Sequence, residues 1–460
     1  MNCLTVDFGS TFTKIAAIDM DRAEVLATAG AFTTIDSDIT EGFYCALTNL
    51  QSELSDFRYD ELFCCSSAAG GLKMAALGLV PELTAKAAKT AASSAGAKVV
   101  KTFSYEIQKK EQDEIFQINP DLVLLCGGTD GGNKEVIIAN AKKLCAIARD
   151  FTVIVAGNKI AADQLEKIFR HANRDFVMTE NVMPTFNQLN IEPAKECIKD
   201  LFIRKIVDAK GLSKIRKMTS RDIIPTPLAV MNGCELYSQG SKNIPGIGDL
   251  MAVDIGGATT DIYSMSHGLP SFSNVMVKGI PEPFSKRTVE GDLGMRYSLS
   301  SLVEALNIEH LAQELGESEA FVREWIAKCC AQPETLADNA GATMRVEAFL
   351  ARRAIEIAVE RHCGTVDRVF TPAGEVFALS GKDLSEVQHV IGIGGVLINN
   401  NDPAFILQGV QNDDTYSRYL KPKHPAYLLD KRYVFASLAL LAELDPDLAL
   451  TMMKKEMIPI

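Results

Sequence analysis

Short apolar runs alternate with longer amphipathic stretches through most of the chain. Residues 4–7 and 13–18 are apolar and flank a polar, glycine-containing turn, so they predict a strand–turn–strand hairpin at the start. Further on, residues 121–126 (DLVLLC) and 151–157 (FTVIVAG) have the length and composition of buried strands. Each is followed by a helical pattern, and this alternation predicts an α/β sheet covered on both faces.

Helices are predicted where residues with high helix propensity dominate or apolar residues recur at helical spacing. The first is a run rich in alanine and lysine at about 72–97, and two more lie at about 134–149 and 159–169. A mainly helical segment is expected near 296–362, and a last helix at 431–444.

The second half of the chain opens with a hairpin pattern of its own, MAVDIGGATTDIYSM at 251–265. Charge rises at 204–225, where Pro225 also appears, and such a change in composition is typical of a boundary region. We therefore predict a first domain at 1–225 and a second domain at 226–460, which contains the helical segment.

The two hairpins are related in sequence. VDFGSTFTKI (6–15) and VDIGGATTDI (253–262) are identical at Val, Asp, Gly, Thr and Ile. Downstream of each hairpin a buried strand ends in a glycine pair, at 127–128 in the first half and at 394–395 in the second. Two motifs that recur in the same order predict one α/β unit used twice. The alternative is two unrelated hairpins and two ordinary strand–helix turns.

Composition and charge narrow the functional class. The 460 residues, 47% hydrophobic and 23% charged, suffice for two domains with ordinary cores. A formal net charge of −12 argues against a nucleic acid or an anionic membrane as partner. We expect a cytoplasmic protein, because the N-terminus lacks a basic region and no apolar run approaches the ~18 residues needed to cross a bilayer.

The eleven cysteines include no Cys-x-x-Cys pair. Several of them, such as Cys126, lie in apolar runs, which is typical of reduced and buried thiols. The alternative is a redox or metal site.

Each hairpin carries residues suited to phosphate binding. Asp7 and Asp254 stand at strand ends, and the glycines behind them permit tight turns whose N–H groups can point at phosphate oxygens. Carboxylates beside phosphates require a cation, so both aspartates are expected to hold Mg²⁺ through water. The predicted phosphate-binding residues are Gly9, Ser10, Thr11, Thr13, Lys14, Gly256, Gly257, Ala258, Thr259 and Thr260.

A third element, IGIGGVLIN at 391–399, predicts a buried strand that ends at Gly394 and Gly395. A nucleotide base and its ribose could lie against the backbone at such a turn, because glycine has no side chain. A dinucleotide-binding turn fits less well, because the order G-x-G-x-x-G is missing and no acidic residue follows about 20 residues on.

These motifs resemble those of a known superfamily. VDFGSTFTK and AVDIGGATTD are similar to the two phosphate motifs of sugar kinases, actin and the ATPase chaperones, and VIGIGGVLI is similar to their adenosine motif. The resemblance implies duplicated ribonuclease H-like (actin-like ATPase) domains that bind ATP and Mg²⁺ in the cleft between them. Within that superfamily LLCGGTDGGN, AVDIGGATTDIYS and KRTVEGDLGMR resemble the MutL family of glutamate mutase accessory proteins, which is unrelated to the mismatch-repair protein of that name.

Two further segments could reach the same cleft. In KRTVEGDLGMR, Glu290 and Asp292 could orient Mg²⁺ or the attacking water, or the loop could simply cap the next helix. In GGTDGGN, Asp130 could reach the cleft, or the segment could be a plain turn in which Asn133 caps the next helix.

The family resemblance implies ATP-driven reactivation of an adenosylcobalamin-dependent mutase, with glutamate mutase or D-ornithine aminomutase as the expected partner. Asp7, Asp254 and Asp292 are the predicted catalytic residues. Neither a general base for a substrate hydroxyl nor a polar sugar pocket is recognisable in the sequence, which favours an ATPase over a kinase. A small-molecule kinase of the same fold and a non-hydrolysing, nucleotide-gated scaffold are the alternatives.

Overall fold

The structure is a computed structural model that describes residues 1–34, 38–67, 73–208, 212–304, 306–338, 341–372, 374–412 and 417–460. Its strands are β1 (Asn2–Phe8), β2 (Phe12–Asp19), β3 (Glu24–Phe32), β4 (Glu61–Ser66), β5 (Lys73–Gly78), β6 (Lys98–Ser104), β7 (Leu122–Leu125), β8 (Thr152–Val155), β9 (Phe176–Met178), β10 (Ile224–Pro225), β11 (Leu250–Ile255), β12 (Thr260–Met265), β13 (Val275–Lys278), β14 (Ser285–Glu290), β15 (Thr365–Thr371), β16 (Gly374–Ser380), β17 (His389–Ile393), β18 (Ala426–Asp430) and β19 (Met457–Pro459).

The helices connect and cover these strands. They are α1 (Ile39–Glu53), α2 (Lys86–Ser94), α3 (Lys109–Ile118), α4 (Glu135–Cys145), α5 (Ala162–His171), α6 (Glu192–Asp208), α7 (Leu212–Arg216), α8 (Thr226–Gln239), α9 (Leu299–Glu304), α10 (Ile308–Leu315), α11 (Glu319–Ala331), α12 (Ala342–His362), α13 (Gly395–Ile398), α14 (Pro403–Leu407), α15 (Phe435–Leu441) and α16 (Pro446–Glu456). Within the described ranges, none of these helices is long and apolar enough to span a membrane.

Two sheets of the same topology form the framework. The first has the order β3-β2-β1-β4-β10, and the second has the order β14-β12-β11-β17-β18, extended at its edge by β19. In both, an antiparallel meander of three strands is followed by a strand parallel to the first, since β1 pairs with β4 and β11 pairs with β17. This is the strand order of the ribonuclease H-like fold, used twice as in actin-like ATPases. The predicted fold class is thus confirmed.

A third sheet lies between β4 and β10 in the chain. All its strands are parallel, in the order β6-β5-β7-β8-β9, which is a doubly wound arrangement. The glycines at 127–128 follow β7 and therefore belong to this inserted sheet. The strand of the first half that corresponds to β17 is β4, so the predicted pairing of 127–128 with 394–395 is wrong. An apolar run specifies that a strand is buried and leaves open which sheet it joins.

The prediction of one helix at 72–97 is partly wrong. Residues 73–78 form β5, and a short π-helical turn at Pro81–Ala85 precedes α2. Met74, Ala75, Ala76 and Leu77 are fully buried between β6 and β7. Pairing on both sides thus overrides the helix propensity of alanine at this position.

The other predicted elements are present, with shifted ends. Both hairpins form, and the segment near 296–362 contains α9 to α12. The last predicted helix is shorter than expected: α15 begins only at Phe435, because Tyr433 takes a left-handed conformation with φ 56°. A small three-stranded sheet in the second half, with the order β13-β16-β15, was not predicted.

The two ribonuclease H-like sheets are joined by an apolar core around α8 and α15. This core includes Cys3 and Phe63 of the first sheet, Leu250 and Tyr263 of the second, and Phe435 of α15. The predicted boundary at 225/226 coincides with the start of α8, whose residues share this core with both sheets. The division into domains 1–225 and 226–460 stays a prediction.

A second core joins the first sheet to the inserted sheet. Leu4 and Leu62 of the first sheet share it with Ala88 and Ala91 of α2 and with Leu124 of β7. The inserted sheet and its helix α2 are therefore fixed to the first sheet by apolar packing.

All eleven cysteines are free thiols. Seven of them are buried, and burial raises the pKa of Cys3, for example, to about 11. Cys45 on α1 and Cys330 on α11 are exposed, contrary to the prediction that the thiols lie in the core.

Candidate functional site

A cavity of about 990 Å³ lies between the two ribonuclease H-like sheets. Its walls come from the turns of both hairpins, from the start of α8, from the turn before α15 and from the end of α2. The helical segment near 296–362 closes one end. Among the lining residues are Asp7, Gly9, Ser10, Thr11, Lys14, Gly96, Lys98, Thr226, Asp254, Gly256, Gly257, Ala258, Thr259, Asp261, Arg287, Arg296, Leu336, Glu347, Gly395 and Tyr433.

The tips of the two hairpins meet across this cavity. Each turn is closed by the same hydrogen bond: the N–H of Gly9 donates to the carbonyl of Phe12 (3.1 Å), and that of Gly256 donates to the carbonyl of Thr259 (2.9 Å). A side chain placed at Gly257 would lie 3.5 Å from the hydroxyl of Thr11. A small, charged ligand in the cavity beside these tips could therefore touch the backbone of both turns.

Most of the predicted phosphate-binding residues line the cavity, whereas two threonines do not. Thr13 and Thr260 are fully buried on the other face of their strands. The Oγ1 atoms of Thr13 and Thr33 are hydrogen-bonded at 3.1 Å, and the Thr260 hydroxyl donates to the Leu293 carbonyl at 2.7 Å. Their place follows from the alternation of a strand, because the adjoining Lys14 and Asp261 face the cavity.

The two glycines of the predicted adenosine turn have different roles. Gly394 has φ 132°, and a Cβ atom there would lie 2.2 Å from the carbonyl oxygen of Ile255, so this glycine permits the close packing of two chain segments. Gly395 lines the cavity, and a Cβ atom there would meet only the Nδ2 atom of Asn399, at 3.9 Å. Only Gly395 therefore bounds the space in which a ligand could lie.

Asp7 is held by neighbours from three elements. Its Oδ1 atom accepts hydrogen bonds from the hydroxyl of Thr226 (2.6 Å) and from the thiol of Cys65 (3.5 Å). Its Oδ2 atom lies 3.9 Å from the ammonium of Lys14, which stands 3.2 Å from the centroid of the Tyr433 ring. Desolvation lowers the pKa of Lys14.

Asp254 lines the cavity together with two other aspartates, Asp7 and Asp261. Desolvation raises its pKa to about 7, and the charges of Asp261 and Asp7 act in the same direction against the opposing effect of Lys14. Asp261, its partner in the strand register, accepts a hydrogen bond from the hydroxyl of Thr259 (2.9 Å). Hard divalent cations prefer such carboxylate oxygens, so Asp7 and Asp254 fit the predicted Mg²⁺.

Asp292 lies outside the cavity. It forms two hydrogen bonds with the guanidinium of Arg361, at 2.8 and 2.9 Å, and Glu290 accepts a third at 2.7 Å. The side chain of Asp292 is 46% exposed. The structure therefore does not bring Asp292 together with Asp7 and Asp254.

The segment GGTDGGN is a turn within the inserted sheet and does not line the cavity. The carboxylate of Asp130 accepts hydrogen bonds from the N–H of Lys159 (3.0 Å) and from Asn181 (3.0 Å). Asn133 accepts a hydrogen bond from the N–H of Val136 at the start of α4 (3.2 Å). Of the two interpretations of this segment, the structure favours the turn with a capping asparagine.

Several lining residues were missed by the sequence analysis. The repeat could have revealed Asp261, because it aligns with Lys14 and strand alternation places both on the cavity side. Thr226 and Tyr433 carry no such signal, since they reach the cavity only through the packing of α8 and α15. Arg296, the last residue of KRTVEGDLGMR, pairs with Glu347 at the helical end of the cavity and donates to the Thr335 carbonyl at 2.8 Å.

The raised pKa of Asp254 leads to a prediction about stability. A carboxyl group with a folded-state pKa near 7 and an ordinary value of 3.8 destabilises the fold increasingly as the pH rises from about 4 to 7. Asp254→Asn should therefore raise the unfolding free energy of the ligand-free protein at pH 8, by on the order of 1 kcal/mol, and less at pH 5. Thermal unfolding at both pH values measures this.

Asp292→Asn is the matched control, because Arg361 lowers the pKa of Asp292. That carboxylate contributes stability above its ordinary pKa, so its removal should not stabilise the protein at either pH. Equal effects of the two substitutions would contradict the assignment of an unfavourable charge to Asp254.

Comparisons with known proteins identify the relatives of this chain. A family model described as "MutL protein" matches residues 3–457. The protein MutL of Clostridium tetanomorphum is 45% identical over 459 residues, which cover 99% of each chain.

Solved structures resemble the chain more distantly. Plasmodium falciparum glycerol kinase with ADP is 11% identical and has a TM-score of 0.32, with 99% of this chain and 90% of the kinase covered. A glycerol dehydratase reactivase is 9% identical and has a TM-score of 0.35, with 96% and 100% covered. At these scores the solved structures carry no argument about function. The family model and the 45% identical relative, which both extend over nearly the whole chain, show that it belongs to the MutL protein family.

Proposed function

We propose that the chain is a Mg²⁺-dependent ATPase that drives a conformational change in an adenosylcobalamin-dependent mutase. The observation that carries the proposal is the meeting of two related hairpin tips at one cavity that both Asp7 and Asp254 line. Such a ligand site touches both halves of the molecule. A bound triphosphate would therefore link the position of one half to the position of the other.

The polar groups of the cavity suit the parts of ATP. Backbone N–H groups at the two turns, around Ser10 and Ala258, can donate to phosphate oxygens. The ammonium of Lys14 supplies positive charge beside Asp7. Gly395 leaves room for the base and ribose, and Arg296, which lies next to Gly257, offers a polar contact to the ligand together with Glu347.

Hydrolysis transfers the γ-phosphoryl group of ATP to water and yields ADP and inorganic phosphate. Asp7 and Asp254 would hold Mg²⁺ through water, and the ion when bound neutralises the phosphates and polarises the group that is transferred. Thr226 and Cys65 fix the orientation of Asp7, and the hairpins keep both carboxylates in place before ATP arrives. Preorganised groups of this kind avoid the reorganisation that water would need.

The mutase partner is inferred from the similarity to glutamate mutase accessory proteins. Glutamate mutase and D-ornithine aminomutase are the candidates, and the chain would restore a mutase that holds a damaged cobalamin. The nucleotide can act on the mutase only if the mutase binds the ATP-bound and ADP-bound forms with different affinity.

One prediction for the proposed ATPase concerns Asp7 and Asp254, which both line the cavity. Asp7→Ala and Asp254→Ala should each reduce Mg²⁺-dependent ATP hydrolysis by about a hundredfold or more, because each removes a group preorganised for the transition state. Release of phosphate at saturating ATP is the measurement. Asp113→Ala, at an exposed aspartate on α3, is the control and should hydrolyse ATP like the original chain. Unchanged turnover in the first two variants would exclude the hairpins as the phosphate site.

The second prediction separates the two glycines of the adenosine turn. Gly395→Val places a side chain in the open space of the cavity and should raise the Kd for ATP by about tenfold or more, with little change in thermal stability. Gly394→Ala should instead lower thermal stability, because its Cβ atom would collide with the Ile255 carbonyl. Titration with ATP and thermal unfolding distinguish the two. Unchanged ATP affinity in Gly395→Val would place the base elsewhere.

The third prediction tests the output of hydrolysis. If the nucleotide controls the mutase, ATP and ADP should change the affinity for the mutase by about 5- to 150-fold, and the mutase should change nucleotide affinity by the same factor. The measurement is a titration with glutamate mutase or D-ornithine aminomutase of the same organism, with ATP, with ADP and without nucleotide. Equal binding in all three states, together with phosphorylation of a metabolite, would favour the kinase instead.

A further inference from the structure

Arg287 of β14 connects the cavity wall to the inserted sheet. Its Nε and Nη2 atoms bond the Oδ1 atom of Asp261, at 2.8 and 2.5 Å. Its Nη1 atom donates to the backbone carbonyls of Ser93 (3.1 Å) and Ala97 (3.3 Å) at the end of α2. One guanidinium thus holds a carboxylate of the second ribonuclease H-like sheet and the end of α2, which packs against the first of these sheets.

The environment makes these contacts strong. Arg287 is 5% exposed and Asp261 is 6% exposed, so water competes little for either group. The carbonyls at the C-terminal end of a helix carry partial negative charge, so a cation beside the carbonyl of Ser93 is favourable. A lysine could not replace the arginine, because only a planar fork of donors reaches the two elements at once.

The contact crosses the cavity. Helix α2 shares its apolar core with the first sheet, through Ala88 and Ala91, and it therefore moves with that sheet. Asp261 and Arg287 belong to the second sheet, and they line the cavity together with Gly96, which follows α2, and Lys98, which begins β6. Separation of the two sheets at this wall must break the bonds between Arg287 and the carbonyls of α2.

A second ion pair holds the other end of the same helix. The ammonium of Lys86, at the start of α2, lies 2.7 Å from the carboxylate of Glu282, which also lies 3.6 Å from Lys286 of β14. The helix is thus attached at both ends, by polar contacts, to the region of β14. These contacts contrast with the apolar core around α8 and α15, which joins the same two sheets on another side.

We propose that Arg287 is a positioning residue that makes the orientation of Asp261 in the cavity depend on the closure of the cavity wall against α2. When the wall closes, Arg287 holds Asp261 in its observed place beside Thr259 and Asp254. When the sheets separate, Arg287 loses the carbonyls and Asp261 loses its fixed orientation. The proposal rests on the proposed ATPase function. It adds that the contact between the inserted sheet and the second sheet differs between the closed and the open cavity.

The test measures closure and hydrolysis in the same full-length protein. The exposed Cys45 on α1 and Cys330 on α11 lie on opposite halves, so they can carry a donor and an acceptor dye. Cys145 and Cys197, which are partly exposed, are replaced by Ser. Energy transfer then reports the distance between the halves with and without ATP.

Arg287→Gln should lengthen this distance in the ligand-free protein and reduce the shortening on addition of ATP. It should also reduce kcat for hydrolysis by about tenfold or more, while KM for ATP changes less, because Arg287 acts through the orientation of Asp261. Arg287→Lys keeps the charge and loses the fork, so it should give intermediate values for both quantities. This milder variant also serves if Arg287→Gln does not fold.

Arg174→Gln is the matched control. Arg174 also donates to backbone carbonyls, among them that of Ile147 (2.8 Å), but its carbonyl partners lie within the inserted region and it does not line the cavity. It should leave the distance and kcat unchanged. Normal closure and turnover in Arg287→Gln would overturn the proposal, and so would a loss of turnover without a change in distance.

Failure of the proposed ATPase function would be recognised separately. If the original chain binds no ATP, that function is wrong, whatever the variants do. The role of Arg287 is then decided by the ligand-free distance alone, which must lengthen in Arg287→Gln and stay the same in Arg174→Gln.

Discussion

The central constraint on this molecule is the placement of carboxylates from two different sheets around one cavity. Asp7 and Asp254 end the first strands of the two hairpins, and Asp261 adds a third carboxylate to the same space. Repulsion and desolvation oppose this arrangement, as the pKa of Asp254 near 7 indicates. The arrangement persists because Thr226 and Lys14 hold Asp7, Arg287 holds Asp261, and the charge of Lys14 also favours the ionised form of Asp254. A cation bound beside these carboxylates would offset their remaining negative charge.

The contacts between the two sheets differ in kind on different sides of the cavity. An apolar core around α8 and α15 joins them on one side, and it excludes water from Leu250, Tyr263 and Phe435. The wall formed by α2 and β14 is joined by ion pairs and by hydrogen bonds to carbonyls. Apolar burial resists separation throughout, whereas a polar contact can be exchanged for water once it opens. Opening at the polar wall, as proposed for Arg287, would leave the apolar side joined.

The segment GGTDGGN belongs to the inserted sheet. Its glycines end a parallel strand of a doubly wound sheet, and Asp130 is used by Lys159 and Asn181 within that sheet. The motif therefore shapes a turn of the inserted sheet and lies away from the cavity. The link between this sheet and the cavity is made by α2, whose terminal carbonyls meet Arg287.

The sequence by itself determined the fold class, the two hairpins, the residues at their tips and the family. These features depend on local patterns. Each hairpin has an apolar run, an aspartate at its end and a glycine in the turn, because both hairpins need the same turn geometry. The tertiary structure alone decided that β7 joins a separate sheet, that Asp292 pairs with Arg361 away from the cavity, and that Thr226, Tyr433 and Arg287 surround the carboxylates. Each of these depends on contacts between residues far apart in the chain, and no local pattern specifies which distant partner a buried strand or an arginine will meet.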